Sequence, residues 1–501
     1  MQITPLTHFI NGKSYIDKDE KLNPIMNPAQ GKEIGLVPFA SSLTINKAIE
    51  AAKTAYLSWS STTPLKRSKL FFAFREILLA KQAELAQVVT NEHGKTLDDA
   101  KGSIARGIEL IEWYCGLVSH WQTPLTNNAA TDIDCYTLRE PLGVCVGVSP
   151  FNFPVMVPIW MMIPAIAAGN TFILKPSEQD PTAALLLATW FTEVGLPPGV
   201  INIIHGDKAT VSQLITQEEV KAVTAVASTK VASSIYQQAV SLNKRAHTFG
   251  GAKNHAVVMM DADLKEAAKA IVGAAYGSAG ERCMALSCVV AVGKQCKEDF
   301  LKELIPLAKA IRIGKGNEPN IDMGPLISAN HLKKVTAMVN LGVQEGALLL
   351  LDGREFKHPK HKDGYFLGPC LFDNVKQTMQ IYQEEIFGPV LVVLVAKSFA
   401  EALNIVNTNH FGNGAAIFTQ DGGVARDFVE GVTVGMVGVN IPIPVPIVSH
   451  SFGGFKQSSF GDTPMHGMES LHFYTKLKTV TAKWRRVTKN TSEFVMPTHT
   501  D

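Results

Sequence analysis

The chain has little of what announces a specialised protein. Its 501 residues hold seven cysteines, Cys115, Cys135, Cys145, Cys283, Cys288, Cys296 and Cys370. They are scattered, odd in number and form no Cys-x-x-Cys pair, which argues against a disulfide framework and a zinc site; no metal is expected. Such usage suits a reducing, cytoplasmic setting. Charge of neither sign dominates: the formal net charge is +2 and no Lys/Arg run occurs, so nucleic acid is not an expected partner. No hydrophobic run is long enough for a membrane. The most apolar stretch, 155–168, carries Pro158 and Pro164 and reads as a buried helix. Residues 1–13 lack the apolar core of a secretory signal and the pattern of a transit peptide. Fixed-period repeats and low-complexity segments are missing too.

What is present is an alternation. The N-terminal part reads as helical over 64–89, with a stop near Gly94, and again over 104–117. From Leu142 short β-branched runs take over. Strands at 143–148, 171–174, 200–204 and 221–226 alternate with helices at 159–168, 183–194 and 228–242. That order predicts a parallel, doubly wound sheet with ligands at the carboxyl ends of its strands. A second block begins after Asp261, with helices at 264–275, 298–311 and 401–408 and strands at 286–292, 415–419 and 435–439. The Pro-rich stretch 440–446 cannot be a central strand.

Four segments fall at the junctions. Pro150-Phe151-Asn152-Phe153-Pro154, Lys175-Pro176-Ser177-Glu178 and Gly250-Gly251 each follow a strand of the first block, and Cys283 follows a glycine-rich turn that opens the second. Facing loops of two blocks would make a cleft. Together with Glu384-Glu385-Ile386-Phe387-Gly388-Pro389-Val390, in this order, these segments resemble the aldehyde dehydrogenase superfamily over nearly the whole chain. Gly251-Ala252-Lys253-Asn254-His255, the run from Gly277 to Cys283, the run from Val439 to Pro446 and Phe473-Tyr474-Thr475 are most similar to its CoA-acylating methylmalonate-semialdehyde dehydrogenases.

The resemblance implies an α/β fold with two doubly wound domains and a small β oligomerisation arm. An NAD-binding domain is expected at 1–125 and 144–260 and a catalytic domain at 261–440. The arm is expected at 126–143 and 465–487, and a polar tail at 488–501. A homodimer or homotetramer follows from the arm, whose exposed edge suits pairing between subunits.

It also assigns roles, each against a plainer alternative. A lone cysteine is usually buried and inert; here Cys283 becomes the nucleophile toward an aldehyde. Arg282 beside it would favour the thiolate, although adjacent side chains can point apart. Asn152, otherwise a turn residue, becomes the amide that stabilises the oxyanion with the Cys283 N–H. Lys175 and Glu178, otherwise a solvated pair, take the adenine ribose, and the Glu178 carboxylate favours NAD over NADP. Ser149, Phe151, Gln179 and Gly250 are further cofactor-binding residues by the resemblance, Glu385 takes the nicotinamide-side ribose with Phe387 packing nearby, and Ser228 opens the helix that receives the pyrophosphate. Relatives carry Phe-Val-Gly-Ser-Thr there; this chain has Ala225-Val226-Ala227-Ser228-Thr229, which adds a Cβ near phosphate and removes a large packing group. Weaker NAD binding is therefore expected.

Two readings of the second half-reaction remain. Hydrolytic relatives place a glutamate two residues before the Gly-Gly pair as general base. Here that residue is Thr248, which has no suitable pKa. Glu281 is the nearest substitute. A thiol attacks a thioester far better than water does, so coenzyme A is the expected acceptor. Arg106 and Arg282 match arginines that hold a substrate carboxylate, which paired guanidinium donors suit. Malonate or methylmalonate semialdehyde would then give acetyl-CoA or propionyl-CoA with loss of carbon dioxide. The alternatives are a hydrolytic enzyme for another semialdehyde such as succinate semialdehyde, and a non-catalytic binding or structural protein on the same fold.

Overall fold

A computed structural model describes residues 4–484. The expected polar tail and the last three residues of the expected arm lie outside the described residues.

Two sheets organise the chain. The first has eight strands in the order Lys13–Tyr15, His8–Ile10, Ile201–Ile203, Thr171–Lys175, Val144–Val148, Val220–Val226, Arg245–Phe249, Ser459–Phe460. Its five central strands are parallel, and the outer ones join antiparallel. The chain runs outward from Val144–Val148 to one side and then returns to add Val220–Val226 on the other. That reversal opens a crevice at the carboxyl ends of these two strands, the expected ligand position in such sheets. Ser149 and the Pro150–Pro154 loop lie on one wall, and the helix Thr229–Ser241 starts on the other.

The second sheet has seven strands in the order Leu348–Leu351, Cys370–Asp373, Val390–Ala396, Leu286–Val292, Asn254–Val258, Gly414–Phe418, Met436–Val439. All but the first run parallel. The strand Arg245–Phe249 ends the first sheet and Asn254–Val258 begins the second, so the carboxyl end of one meets the amino end of the other. Cys283 lies just before Leu286–Val292, at that amino end.

The apolar stretch reads correctly: Met156–Ala167 is a helix with every residue buried. Among the described residues no helix is long and apolar enough to cross a membrane. The N-terminal region departs from its helical reading. Four strands, His8–Ile10, Lys13–Tyr15, Leu22–Asn27 and Lys32–Pro38, come before the first helix, Ser42–Trp59. They are three to seven residues long, too short for periodicity to reveal. The single helix expected over 64–89 is two, Pro64–Ala80 and Gln82–His93, broken at Lys81. A small third sheet orders Thr475–Lys483, Ile133–Pro141 and Leu125–Ala130.

Candidate active site

The cysteine loop is built on an unusual turn. Ser278, Ala279 and Gly280 all have left-handed φ, at 55°, 53° and 73°. Two non-glycine residues in that region cost strain that the surroundings must hold. The loop is then fastened from below. The Asn254 and Asn413 side-chain amides both donate to the Cys283 carbonyl, each at 2.9 Å. Asn254 also donates to the Ala285 carbonyl and accepts from the Gly414 N–H. Backbone on both flanks is thereby fixed, and the Cys283 thiol is left half-buried in a pocket. Arg282, Glu385, Phe387 and Gly280 share its lining.

Glu385 is held by the turn it faces. Its Oε1 accepts from the Ala252 N–H at 2.9 Å. A Cβ at Gly251 would lie 2.4 Å from Glu385 Oε2, so a side chain there would displace the carboxylate. Lys253 anchors the other end, donating to the Ile381 and Glu384 carbonyls. Burial raises the Glu385 carboxyl to about 7 against the opposing Ala252 bond. Burial likewise raises the Cys283 thiol to about 11, and the Glu385 charge adds to the rise. The expectation that Arg282 would favour the thiolate is not met. Its guanidinium turns away to Asp99, with Nη2 donating to Oδ1 at 2.7 Å, and lies against Gly277.

The first-sheet loops reach the pocket through rings. Phe151 meets Phe387 edge-on at 5.8 Å between centroids and also contacts His93 and His331. His331 Nε2 lies 2.6 Å from the Phe387 carbonyl oxygen. Asn152 is buried, and its side-chain amide has no hydrogen-bond partner among the described residues. It remains available to a ligand. Lys175 and Glu178 pair at 2.9 Å, with the lysine buried and the glutamate a third exposed. The Ser149 hydroxyl is buried without a partner among the described residues, and the Ser149 N–H donates to the Lys175 carbonyl. The Gln179 N–H turns to Ser177 Oγ.

These residues fit a dinucleotide. Ser228 precedes the helix Thr229–Ser241 without capping it, so first-turn N–H groups stay open toward an anion. A Cβ at Gly250 would stand 3.2 Å from the Thr229 backbone, and the Gly251 N–H donates to Thr229 Oγ1. The helix start and the Gly-Gly turn are therefore in contact. Ala225 is fully buried in the sheet, whereas Ala227, half-buried, donates its N–H to the Phe249 carbonyl.

Two expected participants stand apart. Arg106 is not in the cysteine pocket. Its guanidinium donates to Glu109 and to the Val445 and Pro446 carbonyls, bracing the Pro-rich loop. Glu281 points away from the pocket: fully buried, it accepts from the Ile327 N–H and faces His93 and His331. The sequence reading missed Lys95, Asp99 and Asn413. Asp99 had a signal, since it lies two helical turns before Arg106 on Leu97–Cys115.

Two α/β sheets meeting end to end across a half-buried cysteine, with an uncapped helix and a glycine cradle alongside, form the framework of a nucleotide-dependent enzyme. The aldehyde dehydrogenase family matches residues 15–480. A malonate-semialdehyde dehydrogenase of Pseudomonas aeruginosa is 46% identical over 98% of this chain and 99% of its own length. The human mitochondrial acylating methylmalonate-semialdehyde/malonate-semialdehyde dehydrogenase is 42% identical over 98% of the chain and 92% of its length. Among solved structures, a Sinorhizobium meliloti protein described as a methylmalonate-semialdehyde dehydrogenase, complexed with NAD, superimposes with a TM-score of 0.96 at 45% identity. It covers 97% of this chain and 99% of its own. The chain belongs to the aldehyde dehydrogenase family.

Proposed function

We propose that the chain oxidises malonate or methylmalonate semialdehyde with NAD and passes the acyl group to coenzyme A. The observation that carries this reading is the state of Thr248. The residue at the hydrolytic base position is fully buried, and its hydroxyl donates to the Ala232 carbonyl at 2.9 Å. Neither pKa nor orientation lets it activate water. Glu281, the substitute, is turned toward Ile327. The names of the relatives point the same way.

In this reading Cys283 Sγ gives up its proton to solvent and attacks the aldehyde carbon. The carbonyl oxygen becomes an oxyanion facing the Asn152 amide and the Cys283 N–H. Donors so placed contribute about 10²–10³ in rate each. Arg282, in the pocket and fixed by Asp99, holds the substrate carboxylate, and Arg106 shapes the loop beside it. Lys175, Glu178, Gln179, Ser149 and Phe151 hold the adenosine side of NAD. Ser228 and Gly250 receive its pyrophosphate, and Glu385 with Phe387 its nicotinamide side; NAD supplies the hydride acceptor. The hydride leaves the thiohemiacetal carbon, and a thioester remains on Cys283. That malonyl or methylmalonyl thioester loses carbon dioxide and takes up a proton. The coenzyme A thiol then attacks its carbonyl and Cys283 leaves as thiolate.

The domain division stated above is part of the proposal, supported by the two sheets. The arm is supported as a pairing surface by the third sheet, whose Leu125, Leu138 and Leu477 are exposed; a homodimer, or a homotetramer made of two such dimers, is the assembly we propose. Seven free cysteines among the described residues support a reducing compartment, which we take to be the cytoplasm.

One observation favours the hydrolytic alternative. Glu385 shares the Cys283 pocket with its pKa raised to about 7, suitable for a base. NADH formation from malonate semialdehyde with and without coenzyme A, with products identified by mass, separates the two. Acetyl-CoA and strong dependence on coenzyme A are expected. Unchanged turnover without it, releasing a free acid, sinks the acylating reading.

A further inference from the structure

Lys95 is a buried ammonium with an incomplete set of partners. It is 1% exposed. Its Nζ donates to the Asn152 backbone carbonyl at 2.6 Å and stands 4.4 Å over the Phe153 ring. An ammonium has three donors, and no second acceptor takes one among the described residues. Asp99, Asp180 and Glu281 act on it only through space. Burying a cation on such terms is costly, so stability alone is a poor reason for a lysine here.

The base of the side chain cannot drift. Gly94 is left-handed at φ +95°, and the Leu97 N–H donates to the Gly316 carbonyl at 3.0 Å. A Cβ on Gly316 would sit 2.2 Å from the Lys95 carbonyl oxygen, and one on Gly324 would sit 2.1 Å from that of Gly94. This segment is thus wedged against the 314–325 loop. One helical turn on, Asp99 grips Arg282, beside the nucleophile. A single short segment therefore touches both the loop of Asn152 and the loop of Cys283.

We propose that Lys95 is a positioning residue that fixes the Asn152 backbone, and through it the Asn152 amide, relative to Cys283. The proposal rests on the oxyanion role given to Asn152 above. Lys95 touches neither substrate nor cofactor. It decides whether the amide stands where the oxyanion forms, a placement in which about 1 Å matters.

Two cofactor-free reactions of Cys283 test this. With p-nitrophenyl acetate the thiolate attacks the ester carbonyl. A tetrahedral oxyanion forms, the aryl C–O bond breaks, p-nitrophenolate leaves and the thiol proton goes to solvent. With iodoacetamide the sulfur displaces iodide at a saturated carbon, and no oxyanion arises. Modification is followed at Cys283 by mass. Asn152→Ala should slow acylation by about 10²-fold or more, and Lys95→Met by about tenfold to a hundredfold. Asn152→Ala should leave alkylation within about twofold of the parent, whereas Lys95→Met, which also removes a charge that favours the Cys283 thiolate, should slow alkylation much less than acylation. Lys95→Arg, which keeps donor and charge, should recover most of the acylation rate, and Lys95→Gln, which keeps a donor, most of the ratio of acylation to alkylation. Parental acylation in Lys95→Met, with Asn152→Ala slow, overturns the proposal and leaves the oxyanion reading intact. Acylation and alkylation falling together, or no recovery with either donor, shows a merely structural lysine and overturns it as well. An Asn152→Ala enzyme that acylates normally removes the oxyanion reading itself and Lys95's role with it.

Discussion

Cys283 shows how little a neighbour in sequence fixes a thiol's chemistry. Arg282 is adjacent, yet its guanidinium turns to Asp99 and not to the sulfur. Burial and the Glu385 carboxylate favour the thiol, and they outweigh the Cys283 and Met284 backbone N–H groups and the Lys95 charge, which favour the thiolate. With a pKa near 11, only about one thiol in 10⁴ is ionised at pH 7. Iodoacetamide should therefore alkylate Cys283 about tenfold faster per pH unit from 7 to 10, since the thiolate is the nucleophile. Glu385→Gln removes a negative charge, lowers the thiol pKa and should speed alkylation at pH 8. A rate already flat between pH 7 and 9 would mean that the thiol is ionised in the free protein.

At the scale of the element, the cysteine turn is packed tightly against the loop that carries Glu385. A Cβ on Gly280 would lie 2.1 Å from the Gly388 carbonyl oxygen, and its φ of +73° disfavours any other residue. Gly280→Ala must push the cysteine loop away from the loop carrying Glu385 and Phe387. A stability loss of about 1–3 kcal/mol is expected from overpacking, read as a lower unfolding midpoint in urea. Catalytic loss should exceed it, because both displaced loops line the pocket; parental kcat in this variant would show that the contact yields easily. The sequence announced this turn only as glycine-rich. Most strands and helices of the first parallel block were legible because each is a β-branched run or a long apolar period closed by a turn; in the second block Asn254–Val258, Cys370–Asp373, Val390–Ala396 and the helix Ala329–Gln344 escaped the sequence reading. The N-terminal strands were not legible either, being short and irregular in exposure. Motifs beside strands singled out Asn152, Cys283 and Glu385, and the last two share one pocket. Lys95, Asp99 and Asn413 were not legible, because their value comes from contacts across 57, 183 and 130 positions, which no local pattern encodes.

For the whole molecule, buried carboxyls set opposite slopes of stability with pH. Glu20 accepts from Ser41 and Thr44 and lies 2.9 Å from His8, joining the first strand to the first long helix. Burial opposes its ionisation, but those bonds win and hold it at about 2, against 4.5 unfolded. The unfolded chain therefore binds its proton first on acidification. The stabilisation is complete above about pH 4.5 and disappears toward pH 2, a change on the order of 3 kcal/mol. Glu92 behaves oppositely. Buried at the start of the helix Thr182–Glu193, where it accepts from the Thr182 N–H, it is raised by burial to about 7 despite that bond. Between pH 4.5 and 7 the folded state holds a proton that the unfolded chain has lost, so stability falls as pH rises through that window, by a comparable amount. The joint contribution of these two carboxyls is greatest near pH 4.5 to 5, while buried His205, His247, His255 and His466, whose pKa burial lowers, add stability as pH rises toward neutrality. Thermal unfolding followed from pH 3 to 8 checks this. Glu20→Gln should flatten the acid limb and leave the other, whereas Glu92→Gln, which keeps an acceptor for Thr182, should flatten the fall between pH 4.5 and 7. If Glu92→Gln instead lowers the midpoint equally at every pH, Glu92 is ionised in the folded protein and the raised pKa is wrong.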